Sequence, residues 1–375
     1  MGLTSNNTLA VAVLAALLLF GGTVWLWPRL ARRSWRAVGG RVGLLLATQV
    51  ALFVSVGLAA NQAFGFYASW ADLFGRETGQ GVVVDHTAGV TSGGPVRVID
   101  TGRVRGRGGF RPSSDGQIDE VDLVGRTTRI ATRAYVYLPP EYFQPRYRTR
   151  TFPAAVVLTG YPGTARALVD KLHYPRTALE LARDGRMRPM ILVMLRPTVA
   201  PPRDTECADI PGGPQTESFF AKDLPDAVTT HYRVDRKPGN WGIIGDSTGG
   251  YCALKLALHH PGVYAAGAGL SAYYKAPVDP TTGDLFHGDK GLRDRANLWW
   301  YLTHMPGPDT SLLVTSSKVG EPNYKDTLKF IERVKDTKRT RISSIILESG
   351  GHNFNTWRRE IPATLQWISG RLGDR

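Results

Sequence analysis

The chain opens with two long stretches in which no position is charged. Residues 9–27, LAVAVLAALLLFGGTVWLW, are apolar on every side, and about 20 such residues make a helix that crosses the hydrocarbon core of a bilayer. Residues 42–70, VGLLLATQVALFVSVGLAANQAFGFYASW, form the second stretch, most apolar up to Ala60. Between them runs PRLARRSWRAVGGR, with Arg29, Arg32, Arg33, Arg36 and Arg41. A short basic loop is retained on the cytoplasmic side, and Trp25, Trp27 and Trp35 suit the membrane–water interface beside it. The pattern predicts a membrane anchor over residues 1–72, with transmembrane helices at about 9–27 and 42–62 and both ends of the hairpin outside. A cleaved signal peptide fits less well, because the charged flank follows the apolar run and no small-residue cleavage site is evident. The expected location is the cell membrane, multi-pass, with all that follows residue 70 extracytoplasmic.

The pattern then changes twice. Residues 73–115 are glycine-rich with only short β-like runs such as 82–84, and are expected to be a linker or irregular cover. From 116 to 375 short apolar runs alternate with helical spacing. RIATRAYVYLPPEYF reads as a strand closing at Pro139 and Pro140. FPAAVVLTGYPG, PMILVMLRP and GNWGIIGDS are continuous apolar runs of the buried-strand type, and SLLVTSS and ISSIILESGG add two later strands. LVDKLHYPRTALELARDG, TESFFAKDLPDAVTTHY, GGYCALKLALHHPG and FNTWRREIPATLQWISGRL read as helices. Strands alternating with helices predict an α/β domain whose mostly parallel sheet is covered on both faces. In such sheets ligands bind at the carboxyl ends of the strands.

One of those ends carries Gly245-Asp246-Ser247-Thr248-Gly249. With 42 glycines in the chain a bare G-x-S-x-G means little. Its setting means more: an apolar strand enters and a helix of small residues leaves, the strand–turn–helix context of a nucleophile elbow. Serine needs a base, and the base an orienting acid. In this architecture the chain order is serine, acid, histidine. Of eight histidines, His352 alone lies beyond residue 304, in the turn SGGHNFNTW. His259 and His260 end the helix that starts beside Ser247 and read as its C-terminal cap. Glu321, in the loop after SLLVTSS, is the preferred acid. Asp326, five residues on, is the alternative and should be solvated on a helix. Backbone N–H groups of Thr248 and Tyr161 are the expected oxyanion donors.

Two segments admit two readings each. In PPRDTECADIPGGPQTESFF, Asp204, Glu206 and Glu217 either contact a polar substrate or hold a long loop and cap the next helix. In GLRDRANLWWYLTHMPGP, Trp299, Trp300 and Tyr301 either cap an acyl site or belong to the core.

Composition adjusts this picture at its edges. The net charge is +14 over 375 residues, which suits anionic lipid or an acidic wall polymer. The chain lacks zinc-finger spacing, an RNA-binding aromatic signature and a basic amphipathic helix, so nucleic acid is not an expected partner. There are two cysteines, Cys207 and Cys252. They could form one bridge outside the cell, but Cys252 reads more simply as a small apolar residue of a buried helix. No metal-ligand spacing is present, and neither metal nor cofactor is expected.

Taken together, YVYLPPEYF, FPAAVVLTGYPG, GIIGDSTGGYCALKLALHHPGVYAAGAGLSAYY and SGGHNFNTW resemble the esterase D-like family of α/β-hydrolases, which includes secreted mycolyltransferases, enterochelin esterases and feruloyl esterases. The resemblance covers roughly residue 116 to the C-terminus. It implies an α/β-hydrolase fold and a triad of Ser247, Glu321 and His352, with Tyr161 and Thr248 as backbone donors. The acid is a glutamate in mycolyltransferases and an aspartate in other branches. The membrane hairpin lies outside the family pattern; with it the chain resembles the anchored esterases predicted in many high-GC Gram-positive genomes.

The resulting expectation is an anchored serine esterase acting on an acyl ester, lipid or cell-envelope in origin, at the bilayer. An acyltransferase passing the acyl group to a sugar or wall alcohol shares the same intermediate. A non-catalytic anchored binding module is the third reading. Oligomeric state is not legible.

Overall fold

The computed structural model describes residues 6–31, 34–64, 94–104, 111–201 and 203–373. The stretch 65–93, which includes about half of the expected linker and the tail of the second apolar run, lies outside the described residues. The chain divides into two units, residues 1–78 and 79–375.

In the first unit, helices α1 (Asn6–Leu26) and α2 (Trp35–Phe64) are both long and apolar enough to cross a membrane. They pack on each other, and the Thr23 and Thr48 hydroxyls meet at 3.0 Å between them. Thr23 also donates to the Leu19 carbonyl and Thr48 to that of Leu44, so neither hydroxyl is left bare in an apolar setting. Helix α2 begins earlier than residue 42. Arg36 and Arg41 therefore lie on its first turns rather than in the connecting loop, and the Arg29 guanidinium sits 4.0 Å over Trp25.

The second unit is built on a sheet of nine strands in the order β1-β2-β3-β5-β4-β6-β7-β8-β9. These are β1 (Val96–Gly102), β2 (Gln117–Val124), β3 (Ala131–Leu138), β4 (Ala154–Leu158), β5 (Ile191–Leu195), β6 (Trp241–Asp246), β7 (Ala266–Leu270), β8 (Ser311–Val319) and β9 (Arg341–Ser349). Strands β1 to β3 run antiparallel, and β3 joins β5 antiparallel. From β5 through β4, β6, β7 and β8 to β9 every pair is parallel. Strands β4, β5 and β6 are buried along their whole length. Alternate residues feed opposite cores: Ala154, Val156 and Leu158 join one cluster, Ala155 and Val157 the other. This is the doubly covered sheet that continuous apolar runs predict.

Several local expectations are corrected. Strand β1 falls within 73–115, where a linker or irregular cover is expected; of its apolar Val96, Val98 and Ile99 only Val96 is buried, because the strand lies at the sheet edge. LVDKLHYPRTALELARDG is two helices, Ala165–Asp170 and Tyr174–Arg183, parted by His173 at φ 56. Pro175 fits the first turn of the second helix, where its missing N–H costs nothing. TESFFAKDLPDAVTTHY is helical throughout as expected, but its middle, Phe219–Asp223, is a π-helical turn between Thr216–Ser218 and Leu224–His231. There Pro225 has no N–H to continue the ladder. Cys252 is not a free packing residue: it is bridged to Cys207.

Candidate active site

Ser247 stands where β6 meets the helix Thr248–His259, with φ 54 and ψ −119. A non-glycine residue at such angles is strained and needs its surroundings to hold it. Two glycines allow it. A Cβ on Gly245 would fall 2.1 Å from the Gly249 carbonyl oxygen, and one on Gly249 would fall 2.4 Å from that of Leu158. Strand, turn and helix therefore pass closer together than any side chain permits. The Ser247 N–H is donated to the Leu270 carbonyl at the end of β7, 2.9 Å away.

His352 arrives from three strands away. It occupies the turn after β9, just before the helix Phe354–Ser369, whose first turn is capped by the Asn353 side chain. Its Nε2 lies 2.9 Å from Ser247 Oγ. Trp357, one turn into that helix, meets the imidazole edge-on at 5.2 Å. Glu321 follows β8, next to β9 in the sheet. Gly320, at φ 101, lets the acid's loop run against the histidine's: a Cβ there would fall 2.3 Å from the Gly350 carbonyl oxygen. Glu321 Oε2 is 3.5 Å from His352 Nδ1, and the carboxylate is wholly shielded while the imidazole is 41% exposed. Serine, acid and histidine thus sit at the carboxyl ends of β6, β8 and β9.

The structure brings together the preferred acid and leaves the alternative apart. Asp326 lies in the first turn of the helix Tyr324–Lys335, 63% exposed and paired with Lys329. At the other side of Ser247, a Cβ on Gly160 would approach Ser247 Cβ to 2.9 Å, so the loop after β4 passes directly over the nucleophile. The Gly160 N–H is already given to Asp246 Oδ2 at 2.9 Å. Tyr161 is the next residue of that loop. Thr248 opens the first turn of the nucleophile helix.

The other expected site residues make contacts of their own. Trp299 packs against Tyr274 and Phe330, and Trp300 stacks on His304. Both tryptophans are half-buried, and these are their described ring contacts. Asp204 and Glu206 are buried. Asp204 accepts the Glu206 N–H, and Glu206 accepts the Tyr273 hydroxyl at 2.6 Å. Glu217 takes up Lys255 at 3.2 Å, His259 at 2.8 Å and His260 at 2.9 Å. The two histidine side chains are thus turned to a carboxylate of the helical turn Thr216–Ser218 instead of capping their own helix.

Reading the sequence missed the support of the acid. Ser271, at the end of β7 with φ 48, donates from Oγ to Glu321 Oε1 at 2.6 Å. Trp357 donates its indole N–H to that same Oγ at 2.9 Å. The Ser271 N–H goes to Thr315 Oγ1, which in turn donates to Glu360 Oε2 at 2.7 Å. Burial pushes Glu360 up to about 8 and Asp246 up to about 7. The position of Ser271 at a strand's carboxyl end was a usable signal; nothing local marked Trp357.

A serine hydroxyl in hydrogen-bond range of an imidazole, itself beside a buried carboxylate, can attack an electrophilic carbonyl. Among the described residues no group of three or more His, Cys, Asp or Glu side chains is placed to hold a metal ion.

Comparison with known proteins follows the same line. The family model described as "Putative esterase" matches residues 126–368. An uncharacterised protein of Corynebacterium glutamicum is 24% identical over 272 residues, 69% of this chain and 63% of its own length. The chain thus spans a little under two thirds of that relative. An S-formylglutathione hydrolase of Agrobacterium tumefaciens superposes with a TM-score of 0.56 at 19% identity, over 69% of this chain and 96% of its own. A ferulic acid esterase does so with a TM-score of 0.59 at 16% identity, over 68% and 98%. At these identities the structural likeness establishes a shared fold.

Proposed function

The chain belongs to this esterase family, and on that footing we propose that it is a membrane-anchored, extracytoplasmic serine esterase working through Ser247, His352 and Glu321. The observation that carries the reading is the 2.9 Å contact between Ser247 Oγ and His352 Nε2. His352 takes the serine proton on Nε2 while Oγ attacks the ester carbonyl carbon. The oxygen that becomes negative is met by the backbone N–H groups of Thr248 and Tyr161. Collapse of the tetrahedral intermediate expels the alcohol, which receives the proton from His352. Water, deprotonated by the same nitrogen, then releases the acid and frees Ser247. Glu321 holds the imidazole with its proton on Nδ1 and stabilises the imidazolium. Its 3.5 Å separation is longer than a hydrogen bond, and such contacts commonly tighten when substrate binds.

Three features support an extracytoplasmic setting. They are the two apolar helices, the arginines between them, and the Cys207–Cys252 disulfide, which suits an oxidising compartment. The anchor favours an ester drawn from lipid or the cell envelope.

The test uses the full chain in detergent, as wild type and as Ser247→Ala. Both are treated with a fluorophosphonate probe and assayed on p-nitrophenyl esters of increasing acyl length, with and without an added sugar alcohol. Labelling and turnover should vanish in the variant. Persistent labelling of Ser247→Ala would remove that residue as nucleophile. A folded wild type that never labels would make the protein a non-catalytic anchored module. Acylated sugar in place of free acid would make it an acyltransferase. Protease added to intact spheroplasts should remove the catalytic unit; full protection would place it in the cytoplasm.

A further inference from the structure

The loop carrying Asp204, Glu206 and Cys207 is fastened to the nucleophile helix along one face. Thr248, Cys252 and Lys255 follow one another at i, i+4 and i+7, the spacing of a single helical stripe. Cys252 is bridged to Cys207. The Lys255 ammonium, fully buried, donates to the carbonyls of Glu206 at 3.0 Å and Cys207 at 2.7 Å. The Tyr273 hydroxyl stands within 2.6 Å of both Glu206 oxygens and 3.0 Å from Thr248 Oγ1. Glu206 and Cys207 are held at φ 49 and φ 50, two successive residues in a region that side chains avoid. Such strain persists only where the surroundings over-determine it. Glu206 is 1% exposed and out of reach of a substrate. Whatever it does for the site passes through Tyr273.

The three side chains share their hydrogens in one of two ways. With Glu206 neutral, its O–H donates to Tyr273 Oη, Tyr273 donates to Thr248 Oγ1, and the Thr248 hydroxyl hydrogen remains uncommitted. With Glu206 ionised, Tyr273 donates to the carboxylate and Thr248 must donate to Tyr273. We propose that Glu206 is a positioning residue that acts through Tyr273 on Thr248, with its neutral form setting the working polarity of the chain and its ionised form reversing it. The proposal rests on the reading of the Thr248 backbone N–H as an oxyanion donor. Reversal turns the Thr248 hydroxyl hydrogen towards Tyr273 and sets a negative charge behind the residue whose N–H meets the developing negative charge.

The charged and titratable neighbours set when this happens. Burial is the largest influence and pushes Glu206 up to about 8. Asp204, itself pushed up to about 6 by burial, and Asp279 raise it further, while Tyr273 and Lys255 pull it down. Burial holds Tyr273 far above its ordinary value, so it remains a phenol throughout. Tyr251 stacks on it at 5.1 Å and is likewise held neutral by burial. Glu217, facing Lys255 from the far side, stays ionised.

The experiment measures kcat, KM and the rate of fluorophosphonate labelling from about pH 6 to 10 on the full-length protein in detergent. Wild type, Glu206→Gln and Tyr273→Phe are compared. Wild-type kcat should fall as pH rises through about 8 while KM stays level. Glu206→Gln, whose amide is never charged and still donates to Tyr273, should keep its kcat across that range. Tyr273→Phe should lose roughly threefold to tenfold in kcat at pH 7, the worth of one hydrogen bond, and lose the alkaline fall as well. A Glu206→Gln variant that keeps both the wild-type kcat and the wild-type alkaline fall would reduce Glu206 to a loop anchor and overturn the proposal. If Glu206→Gln does not fold, Tyr273→Phe decides: unchanged kcat and an unchanged alkaline fall overturn it equally. A wild type without turnover or labelling at any pH overturns the esterase reading itself, which separates that failure from this one.

Discussion

Ser271 Oγ donates to Glu321 Oε1 across 2.6 Å, from a backbone held at φ 48. The hydroxyl's own orientation is set by the Trp357 indole N–H. The proposed triad acid, Glu321, is therefore gripped from the end of the strand that lies between β6 and β8 in the sheet. This leaves Oε2 as the carboxylate oxygen that faces the imidazole.

Ser271→Ala should leave the fold intact and lower kcat by roughly tenfold to a hundredfold, the range for a hydrogen bond to a charged group. KM should not move, because the hydroxyl touches no substrate. Steady-state kinetics with a thermal melt of the same sample would check this. An unchanged kcat would show that Glu321 needs no second partner.

Glu321→Gln should cost on the order of 10⁴ in kcat, since an amide can hold the imidazole in the wrong tautomer. Asp326→Asn should stay within about twofold, because that carboxylate is exposed and paired with Lys329. The opposite ranking in side-by-side kinetics would transfer the triad acid to the helix Tyr324–Lys335.

Lys255 is buried between Glu217 and two loop carbonyls. Lys255→Met strands all three, and the loss should be about 3–5 kcal/mol in chemical denaturation. Adding Glu217→Gln should recover part of it by removing the orphaned charge. A single variant as stable as wild type would mean that water replaces the ammonium.

Burial raises Glu360 from 4.5 to about 8 and Asp246 from 3.8 to about 7. Between those limits the folded chain holds protons that the unfolded chain releases. The stability these two groups contribute is therefore full below about pH 4 and is lost as pH rises towards 8. Glu360→Gln should flatten that decline, because the amide can still accept from Thr315 without ever ionising. Melting temperatures taken from pH 5 to 9 would show it; parallel slopes for the two proteins would mean that Glu360 is ionised in the fold.

What the sequence determined by itself was whatever consecutive residues must satisfy. Unbroken apolar runs marked α1, α2 and the buried strands, because a covered element has no polar face to show. Gly245 and Gly249 marked the elbow around Ser247, because the turn leaves no volume for a Cβ. His352 followed from chain order alone. The tertiary structure decided what depends on the neighbours of each strand. Ser271 and Glu321 lie fifty positions apart and meet because β7 and β8 are adjacent. Cys207 and Cys252, separated by 45 residues, meet because a long loop folds back onto the nucleophile helix. The same fold-back turned Glu206 from an expected substrate contact into a buried partner of Tyr273. Strand β1 escaped notice because its short run over residues 96–99 lies in a glycine-rich stretch and only pairing with β2 makes it a strand. Local periodicity reports which face of an element is covered, and it carries no information about which loop does the covering.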